Sequence, residues 1–238
     1  MIGPMKREDH ALEYLDGPLP ESDLAASLAD IERLAIFGGH RLTVRAVAHE
    51  ATRLPRDRRL VVLDVGGGRG DLARHLVAWA RRDRRAIRVL VVDRDPVTVA
   101  LARRHCAGVP EIAIVQGDAA ALPIRERGVD LAVSVLTLHH LEPDAAAQSL
   151  GEMRAASRGA VIVNDLLRER VSWVLVWLAT RLFARHPISR HDGPLSVRRA
   201  YSIDELLVFV EKARLTHVTI RPVRWLARVV MVAREAFP

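Results

Sequence analysis

The sequence has little cysteine and few aromatic residues, and both shortages exclude classes of site. With one cysteine, Cys106, among 238 residues, neither an intrachain disulfide framework nor a cysteine-rich metal site is possible. Aromatic residues make up 4% of the chain and do not alternate with basic residues, as base-stacking platforms would require. The first nine residues carry no apolar signal segment. We therefore expect a cytoplasmic protein.

Long hydrophobic runs are also missing. The most apolar stretch, 171–183, is flanked by arginines and is shorter than the roughly 20 apolar residues that span a bilayer. We predict an inserted apolar helix within 166–187. It either packs against the sheet or a second copy of the chain as a homodimer, or covers an apolar substrate as a lid, or makes peripheral membrane contact through 171–183.

The net charge is +7, which would suit nucleic acid, a membrane surface or an anionic substrate. The positive residues are spread along the chain, however, and there is no basic tail. A solvated, arginine-rich surface is the simpler interpretation, so we do not expect nucleic acid as a partner.

From Leu60 onward, short apolar runs alternate with helical patterns. Apolar runs of this length are typical of strands that are buried on both faces of a sheet. The predicted strands are 60–65, 87–92, 111–116, 130–135 and 159–164, and the helices between them lie near 70–82, 96–106 and 143–156. This alternation predicts a doubly wound α/β fold with a mostly parallel sheet and right-handed crossovers.

The two ends of the chain add to this core. Helical patterns at 21–36 and 42–53 predict an N-terminal helical cap within 1–55, followed by the core at 56–165. The segment 166–201 holds the inserted helix and a loop. In 202–238, a capping box at Ser202–Glu205 begins a helix at 203–213, and the runs 216–222 and 225–232 form a hairpin that completes the sheet.

A glycine turn follows the first strand, in the sequence Asp64-Val65-Gly66-Gly67-Gly68-Arg69-Gly70. Glycines here allow positive φ and a close approach of the backbone to a ligand at the next helix N-terminus. Dinucleotide enzymes use a similar turn, but Asp71 stands where their pattern requires glycine or alanine. A carboxylate there would repel a pyrophosphate. The spacing therefore favours S-adenosylmethionine over a nicotinamide dinucleotide.

Acidic residues also follow the second and third strands. Asp93 is placed to accept hydrogen bonds from both ribose hydroxyls, whereas Asp95 is placed to cap the helix that Pro96 begins. Asp118 can accept from an adenine amino group, with the adjacent backbone N–H serving a ring nitrogen. The predicted cofactor-binding residues are Asp64, Gly66, Gly68, Asp93, Arg94, Asp118, Ala119, Ser134 and Val135.

These motifs, in this order, resemble the class I S-adenosylmethionine-dependent methyltransferases over about residues 40–165. The resemblance implies a seven-stranded Rossmann-like sheet with one antiparallel strand near its C-terminal edge. It also implies that Asp64, Gly66 and Gly68 line the methionine part of the cofactor, and that Asp118 with Ala119 lines the adenine. No metal is expected. The ending Leu138-His139-His140-Leu141 is similar to the small-molecule branch, which includes ubiquinone/menaquinone C-methyltransferase-like and natural-product enzymes.

The candidate catalytic residues are His139 and His140, because an imidazole can remove a proton near neutral pH. By resemblance to lipid-modifying methyltransferases, His139 ranks first. Asn164-Asp165 ends the fifth strand, and we favour a turn or helix cap there. Weaker hypotheses place Arg41 and Arg45 at the cofactor carboxylate. The weak candidates for substrate binding are His191, Arg198, Arg199 and Trp173.

We therefore expect methylation at oxygen or carbon of a small, fairly apolar acceptor, natural-product, quinone-like or lipid-like, as in secondary metabolism. No Asn/Asp-Pro-Pro-Tyr/Phe run follows the fourth strand, which argues against the usual amino methylation of bases or glutamine. Three alternatives stay open. They are an RNA methyltransferase, suggested by the basic balance alone, a silent S-adenosylmethionine-binding partner protein, and a dehydrogenase.

Overall fold

The protein is described by a computed structural model that covers residues 5–35 and 38–234. Within these residues, one sheet contains β1 (Leu60–Val65), β2 (Ile87–Asp93), β3 (Ile112–Gln116), β4 (Val129–Val135), β5 (Ser157–Leu166), β6 (Thr219–Val223) and β7 (Arg228–Arg234). Their spatial order is β3-β2-β1-β4-β5-β7-β6. The chain reverses its strand order beside the central β1, and this is where open α/β sheets bind ligands.

Strand direction agrees with the sequence prediction. The strands β1 to β5 pair in parallel, whereas β7 is antiparallel to both of its neighbours, β5 and β6. The prediction of a seven-stranded, mostly parallel sheet with one antiparallel strand near the C-terminal edge is therefore confirmed.

Eight α-helices accompany the sheet in the described part of the chain. They are α1 (Glu21–Ala35), α2 (Gly39–Ala51), α3 (Asp71–Arg82), α4 (Pro96–His105), α5 (Pro143–Ala156), α6 (Arg170–Phe183), α7 (Pro187–Arg199) and α8 (Ile203–Lys212). Their starts follow local rules. Pro96 opens α4 after the Asp95 cap, and Ser202 with Glu205 forms the predicted capping box of α8.

The two faces of the sheet bury separate apolar layers. Leu72 and Leu76 of α3 pack with Val47 of α2 on one face. Leu150 of α5 and Phe209 of α8 pack on the other. Strands covered on both faces must be apolar throughout, which is why each reads in the sequence as a continuous hydrophobic run.

The two N-terminal helices have different positions, although the sequence assigns both to a cap. Val47 and Ala51 place α2 in the buried layer on the sheet, so most of this helix belongs to the core. The helix α1 contacts α6 and α7 instead and lies over the cleft. The apolar periodicity of the two helices is similar, and only the tertiary contacts distinguish their roles.

The segment after β5 contains two helices where the sequence predicts one helix and a loop. α6 ends at Phe183, before Pro187 opens α7. Gly193 and Pro194 suggest a loop in the sequence, yet both lie inside α7. The carboxylate of Asp192 anchors this helix by accepting hydrogen bonds from two backbone N–H groups of the N-terminal segment. Tertiary hydrogen bonding therefore overrides a weak local propensity.

The C-terminal hairpin is confirmed, but both strands begin three residues later than predicted and end one or two residues later. A 3-10 turn at Arg224–Leu226 and a left-handed residue, Ala227, separate β6 from β7. In the described residues, no helix has the length and low charge that crossing a bilayer requires.

Candidate active site

The glycine turn after β1 forms the floor of a cleft. Gly66, Gly68 and Gly70 have φ values of +67°, +54° and +84°, a region that side-chain-bearing residues rarely adopt. A Cβ at Gly66 would overlap the side chain of Thr137, whereas at Gly68 it would make only an ordinary contact with the side chain of Leu28, at 3.7 Å. The turn therefore lets a ligand approach its backbone at Gly68, and it fixes Gly66 against the end of β4.

The carboxylate of Asp64 lies buried beneath this turn. Its Oδ2 has no hydrogen-bond partner among the described residues. Burial, with repulsion from Asp93 and Asp71, raises the pKa of Asp64 to about 7. A buried carboxylate with a free oxygen is suited to a cationic partner, because desolvation of an unpaired charge is costly.

Asp93 ends β2 and is held in place by backbone donors. Its Oδ2 accepts from the N–H of Gly68 at 3.0 Å, and its Oδ1 accepts from the N–H of Asp95 at 3.1 Å. Burial raises the pKa of Asp93 against the effect of these bonds. Asp95 caps α4 by accepting from the N–H of Thr98 at 2.7 Å, as predicted from the sequence.

A cavity of about 700 Å³ connects these residues. Eight of the nine predicted cofactor residues line it, and it is closed on the far side by Leu24, Leu28 and Ile31 of α1. Among the lining residues are Asp64, Gly66, Gly68, Asp93, Arg94, Asp118 and Ala119. The order of these residues along the sheet edge matches the order in which the sequence assigns them to methionine, ribose and adenine.

Other predicted residues of this cleft lie elsewhere or have additional partners. Ser134 is buried inside the sheet and is not among the residues lining the cavity. Arg41 and Arg45 are exposed on α2, away from the cavity lining. Asp71 does line the cavity, but Arg69 offsets its charge in an ion pair of 3.0 Å. The repulsion by which Asp71 disfavours a pyrophosphate is correspondingly smaller.

A second cavity, of about 390 Å³, lies beside the first. The two share lining residues Leu15, Ile31, Leu136 and His140. Leu136 follows β4 with a φ of +56°, an uncommon value for a residue with a branched side chain. Strained backbone of this kind is concentrated at functional sites. Most of the wall of the second cavity is apolar, and α6 contributes Val176, Leu178 and Leu182 to it.

His139 lies in the wall of the second cavity. Its Nδ1 is 2.6 Å from Oδ1 of Asp165, and because a carboxylate only accepts, Nδ1 carries the hydrogen. The other oxygen of Asp165 accepts from the N–H groups of Thr137 and Leu138. Although burial raises the pKa of Asp165, His139 and the backbone donors lower it below its usual value. The Nε2 atom of His139 is thereby left as the proton acceptor.

His140 lies at the junction of the two cavities. Its ring packs against that of His139, with centroids 4.2 Å apart, and its Nδ1 donates to Oδ1 of Asp16 at 2.7 Å. Burial alone would lower the pKa of His140, but the carboxylates of Glu13, Asp16 and Asp165 raise it overall. The pKa of Asp16 falls below its usual range despite burial, because His140 and Arg199 both contact it. His140 is therefore suited to carry a positive charge.

Two groups of histidines with a glutamate have the spacing of metal ligands. Glu13, His139 and His140 form one group, and Glu32, His40 and His75 form the other. In the second group, Glu32 accepts from His40 at 2.6 Å and from His75 at 2.9 Å. These hydrogen bonds satisfy the Glu32 carboxylate without an ion. The sequence did not indicate either group, because the residues come from separate elements.

The weak candidates for substrate binding lie outside both cavities. His191 is exposed against the ring of Tyr14, and Trp173 stacks on Trp177. Arg198 pairs with Glu8 at 2.5 Å at the surface. Arg199 is buried and reaches the site indirectly, through Asp16.

Several residues of the site were not found by sequence reasoning. Asp165 directly follows the predicted fifth strand and lies near the end of β5, so its position contained a usable signal, although the sequence favours a turn or cap there. Glu13, Asp16, Leu136 and Arg228 gave no local signal. They enter the site from the N-terminal segment, a strained loop and the antiparallel strand.

Together, the fold and the cleft define a Rossmann-like protein with a cofactor cavity at the carboxyl edge of its parallel strands. Residues 62–159 match the family model described as a methyltransferase domain. This match agrees with the methyltransferase class that the motifs of the sequence indicate. No curated protein matches the chain by sequence.

Solved structures with this fold include several methyltransferases. An S-adenosylmethionine-dependent methyltransferase from Aquifex aeolicus is 17% identical, with a TM-score of 0.60, and the match covers 91% of this chain and 99% of that one. Magnesium protoporphyrin IX methyltransferase from Synechocystis, with bound S-adenosylhomocysteine, is 16% identical, with a TM-score of 0.57 and coverages of 83% and 84%.

The carbon methyltransferase of CurJ is 13% identical, with a TM-score of 0.62, and the match covers 83% of this chain. The present chain spans 54% of that protein. At these identities the likenesses establish the fold, while the acceptor of this protein has to be argued from its own residues.

Proposed function

We propose that the protein transfers a methyl group from S-adenosylmethionine to oxygen or carbon of a small, fairly apolar acceptor. The observation that carries this proposal is that the first cavity, which holds the acids of the strand ends, and the more apolar second cavity meet at Leu136 and His140. Methyl transfer is an in-line displacement, so donor and acceptor must approach end to end across such a junction.

The lining of the first cavity supports S-adenosylmethionine as the donor. The unpartnered oxygen of Asp64 fits an ammonium group, and Asp93 is oriented by backbone donors to accept from ribose hydroxyls. Asp118 and Ala119 lie where the adenine would bind. When bound, the sulfonium group supplies an electrophilic methyl carbon. The residues of this chain then hold the two partners in line and exclude water.

His139 is the proposed general base for an acceptor that must lose a proton. Asp165 holds the Nδ1–H of His139, so its Nε2 can receive a proton from a phenol, enol or acidic carbon. The positive charge favoured on His140 would stabilise the anion that forms at the junction.

The second cavity supports a small-molecule acceptor rather than RNA. Its wall is predominantly aliphatic, whereas single-stranded RNA is bound on basic surfaces that carry stacking aromatics. A salt-sensitive affinity for RNA oligonucleotides would favour the RNA alternative. Binding of S-adenosylmethionine without turnover in any extract would favour the silent partner protein.

The outer face of α6 supports a further contact of the proposed enzyme. Val171, Val174 and Trp177 are exposed on this helix, and Trp225 is exposed beside it. Such a patch suits either a second copy of the chain or a membrane surface. Light scattering and sedimentation with lipid vesicles distinguish the two.

The decisive experiment combines binding and turnover. Calorimetry with S-adenosylmethionine tests the donor, and transfer of labelled methyl from it to apolar phenols and enols tests the acceptor class. Crystals grown with S-adenosylhomocysteine would show which cavity each ligand enters. Preferential binding of a nicotinamide dinucleotide would instead establish a dehydrogenase.

A further inference from the structure

One charged side chain in the second cavity lacks a partner. Arg228 begins β7 and lines this cavity beside Leu226 and Ala227. Its guanidinium Nη1 is buried and has no hydrogen-bond partner among the residues that the structure describes. An isolated buried charge is unfavourable, and native proteins rarely retain one without use.

The nearest carboxylate cannot serve as this partner. Asp165 attracts Arg228, but its two oxygens already accept from His139 and from three backbone N–H groups. Burial lowers the pKa of Arg228 to about 10, more than Asp165 raises it. The guanidinium is therefore still charged at neutral pH and keeps donors available to a ligand.

The position of Arg228 is fixed by its surroundings. A Cβ on Gly39 would lie 3.4 Å from Nη2 of Arg228, so the guanidinium packs closely against the start of α2. The backbone of Arg228 pairs with Leu166 in the sheet. A guanidinium held rigidly in this way loses little conformational freedom on binding a planar anion.

We propose that the second cavity binds an apolar acceptor that carries a carboxylate, with Arg228 as the group that recognises the carboxylate. This rests on the proposed function in taking this cavity as the acceptor site. The apolar part of the ligand packs against Val176, Leu178 and Leu182 of α6. Arg228 thus holds one end of the acceptor and directs its other end to the junction at His140.

This assignment differs from the anion-binding residues suggested by the sequence. His191 and Arg198 lie outside the cavities, and Arg198 is already paired with Glu8. Arg228 begins a strand in which more and less buried residues alternate, and in the sequence it resembles any solvent-facing strand arginine. Its environment becomes apolar only when α6 packs nearby.

The test is calorimetric binding of matched acids and alcohols to the full chain without cofactor. The probes are decanoate against decanol, and cinnamate against cinnamyl alcohol, at neutral pH where both acids are ionised. We expect each acid to bind at least about tenfold more tightly than its alcohol, as is typical for a charge-assisted hydrogen bond. In Arg228→Met this preference should vanish, and in Arg228→Lys it should fall partway.

Arg224→Met is the matched control, because Arg224 is an exposed neighbour that pairs with Glu169 outside the cavity. It should keep the full preference for the acids. If the native protein binds neither acid more tightly than its alcohol, or if Arg228→Met keeps the preference, the proposal is wrong. If Arg228→Met does not fold, the ratio of acid to alcohol affinity in the native protein and in Arg228→Lys still decides the question.

The measurement requires no turnover, so its result is separable from that of the proposed function. Binding of acids through Arg228 without methyl transfer would leave the carboxylate site standing and remove the proposed activity. Methyl transfer to neutral acceptors, with no preference for acids in binding, would support the proposed activity and remove the carboxylate site.

Discussion

The Nδ1 atom of His139 donates a hydrogen bond to Oδ1 of Asp165 across 2.6 Å, joining the turn after β4 to the end of β5. The same carboxylate also holds the backbone N–H groups of Thr137 and Leu138. One buried acid therefore sets both the orientation of the imidazole and the position of the loop that separates the two cavities.

Replacing this acid tests the proposed base. In Asp165→Asn, the amide can donate to Nδ1, which favours the wrong tautomer and removes Nε2 as a proton acceptor. We expect turnover of a proton-losing acceptor to fall by roughly a hundredfold or more, with cofactor affinity nearly unchanged. His139→Ala should behave in the same way.

His191→Ala is a suitable control for these variants, because His191 is exposed outside both cavities. Thermal unfolding would identify any general loss of structure in Asp165→Asn. Turnover of Asp165→Asn within about twofold of the native value would exclude a catalytic base at His139.

Two acids at the end of β2 should have separable roles. Asp93→Ala removes the proposed ribose acceptor, and we expect S-adenosylmethionine affinity to drop at least about tenfold. Asp95→Ala removes the cap of α4, which should lower the free energy of unfolding by about 1 kcal/mol while leaving affinity nearly intact. Calorimetry and chemical denaturation measure the two quantities. Unchanged binding in Asp93→Ala would contradict the cofactor assignment.

Cofactor binding should depend on pH through Asp64. Its pKa of about 7 means that much of the free protein holds a proton there at pH 6, whereas an ammonium partner favours the ionised form. Affinity should therefore rise from pH 6 to pH 8, with proton release at the lower pH. Calorimetry in buffers of different ionisation enthalpy measures that release. Asp64→Asn should bind S-adenosylmethionine more weakly, and its affinity should not change with pH. If the affinity of Asp64→Asn still rises with pH, the proton is released by another group.

The raised pKa of Asp64 also makes the stability of the fold depend on pH. Between about pH 4 and pH 7, the folded protein keeps a proton on Asp64 that the unfolded chain has lost. The contribution of this group to the free energy of unfolding therefore decreases as pH rises through that range. Denaturation of the native protein and of Asp64→Asn, compared at both ends of the range, measures the difference.

Two glycines give opposite expectations for substitution by alanine. Gly66→Ala would place a Cβ against Thr137 at a positive φ, so we expect clear destabilisation and loss of cofactor binding. Gly151→Ala lies in α5, where an added Cβ meets no atom within 4 Å. It should raise the free energy of unfolding by about 0.5 to 1 kcal/mol. Equal effects of the two substitutions would contradict this account of the turn.

Much of the fold and of the cofactor cleft could be predicted because the governing interactions are local in sequence. A strand that ends in Asp64, a glycine turn and a helix start are consecutive, and their conformational requirements are written in residue types. Asp93 and Asp118 stand in the corresponding positions, at the ends of the second and third strands. Parallel strands bring their carboxyl ends to one edge, so these separate signals predict one site.

The acceptor side depended on contacts between distant segments. His139 was visible as a candidate, but its tautomer is set by Asp165, 26 residues away. The pKa of His140 is raised by Glu13 and by Asp16, and Asp16 lies 124 residues earlier in the chain. Neither relationship leaves a pattern in the sequence, because burial and distance determine it.

The sequence by itself determined the α/β class, the glycine turn and the residues of the cofactor cleft, since short-range propensity and strand order specify them. Only the tertiary structure decided that α1 closes the cleft while α2 joins the core, and that α6 and α7 wall a second cavity. It also decided that Arg228 is left without a partner there. The charge balance of a cavity is a property of side chains from several elements, and it exists only after those elements have packed.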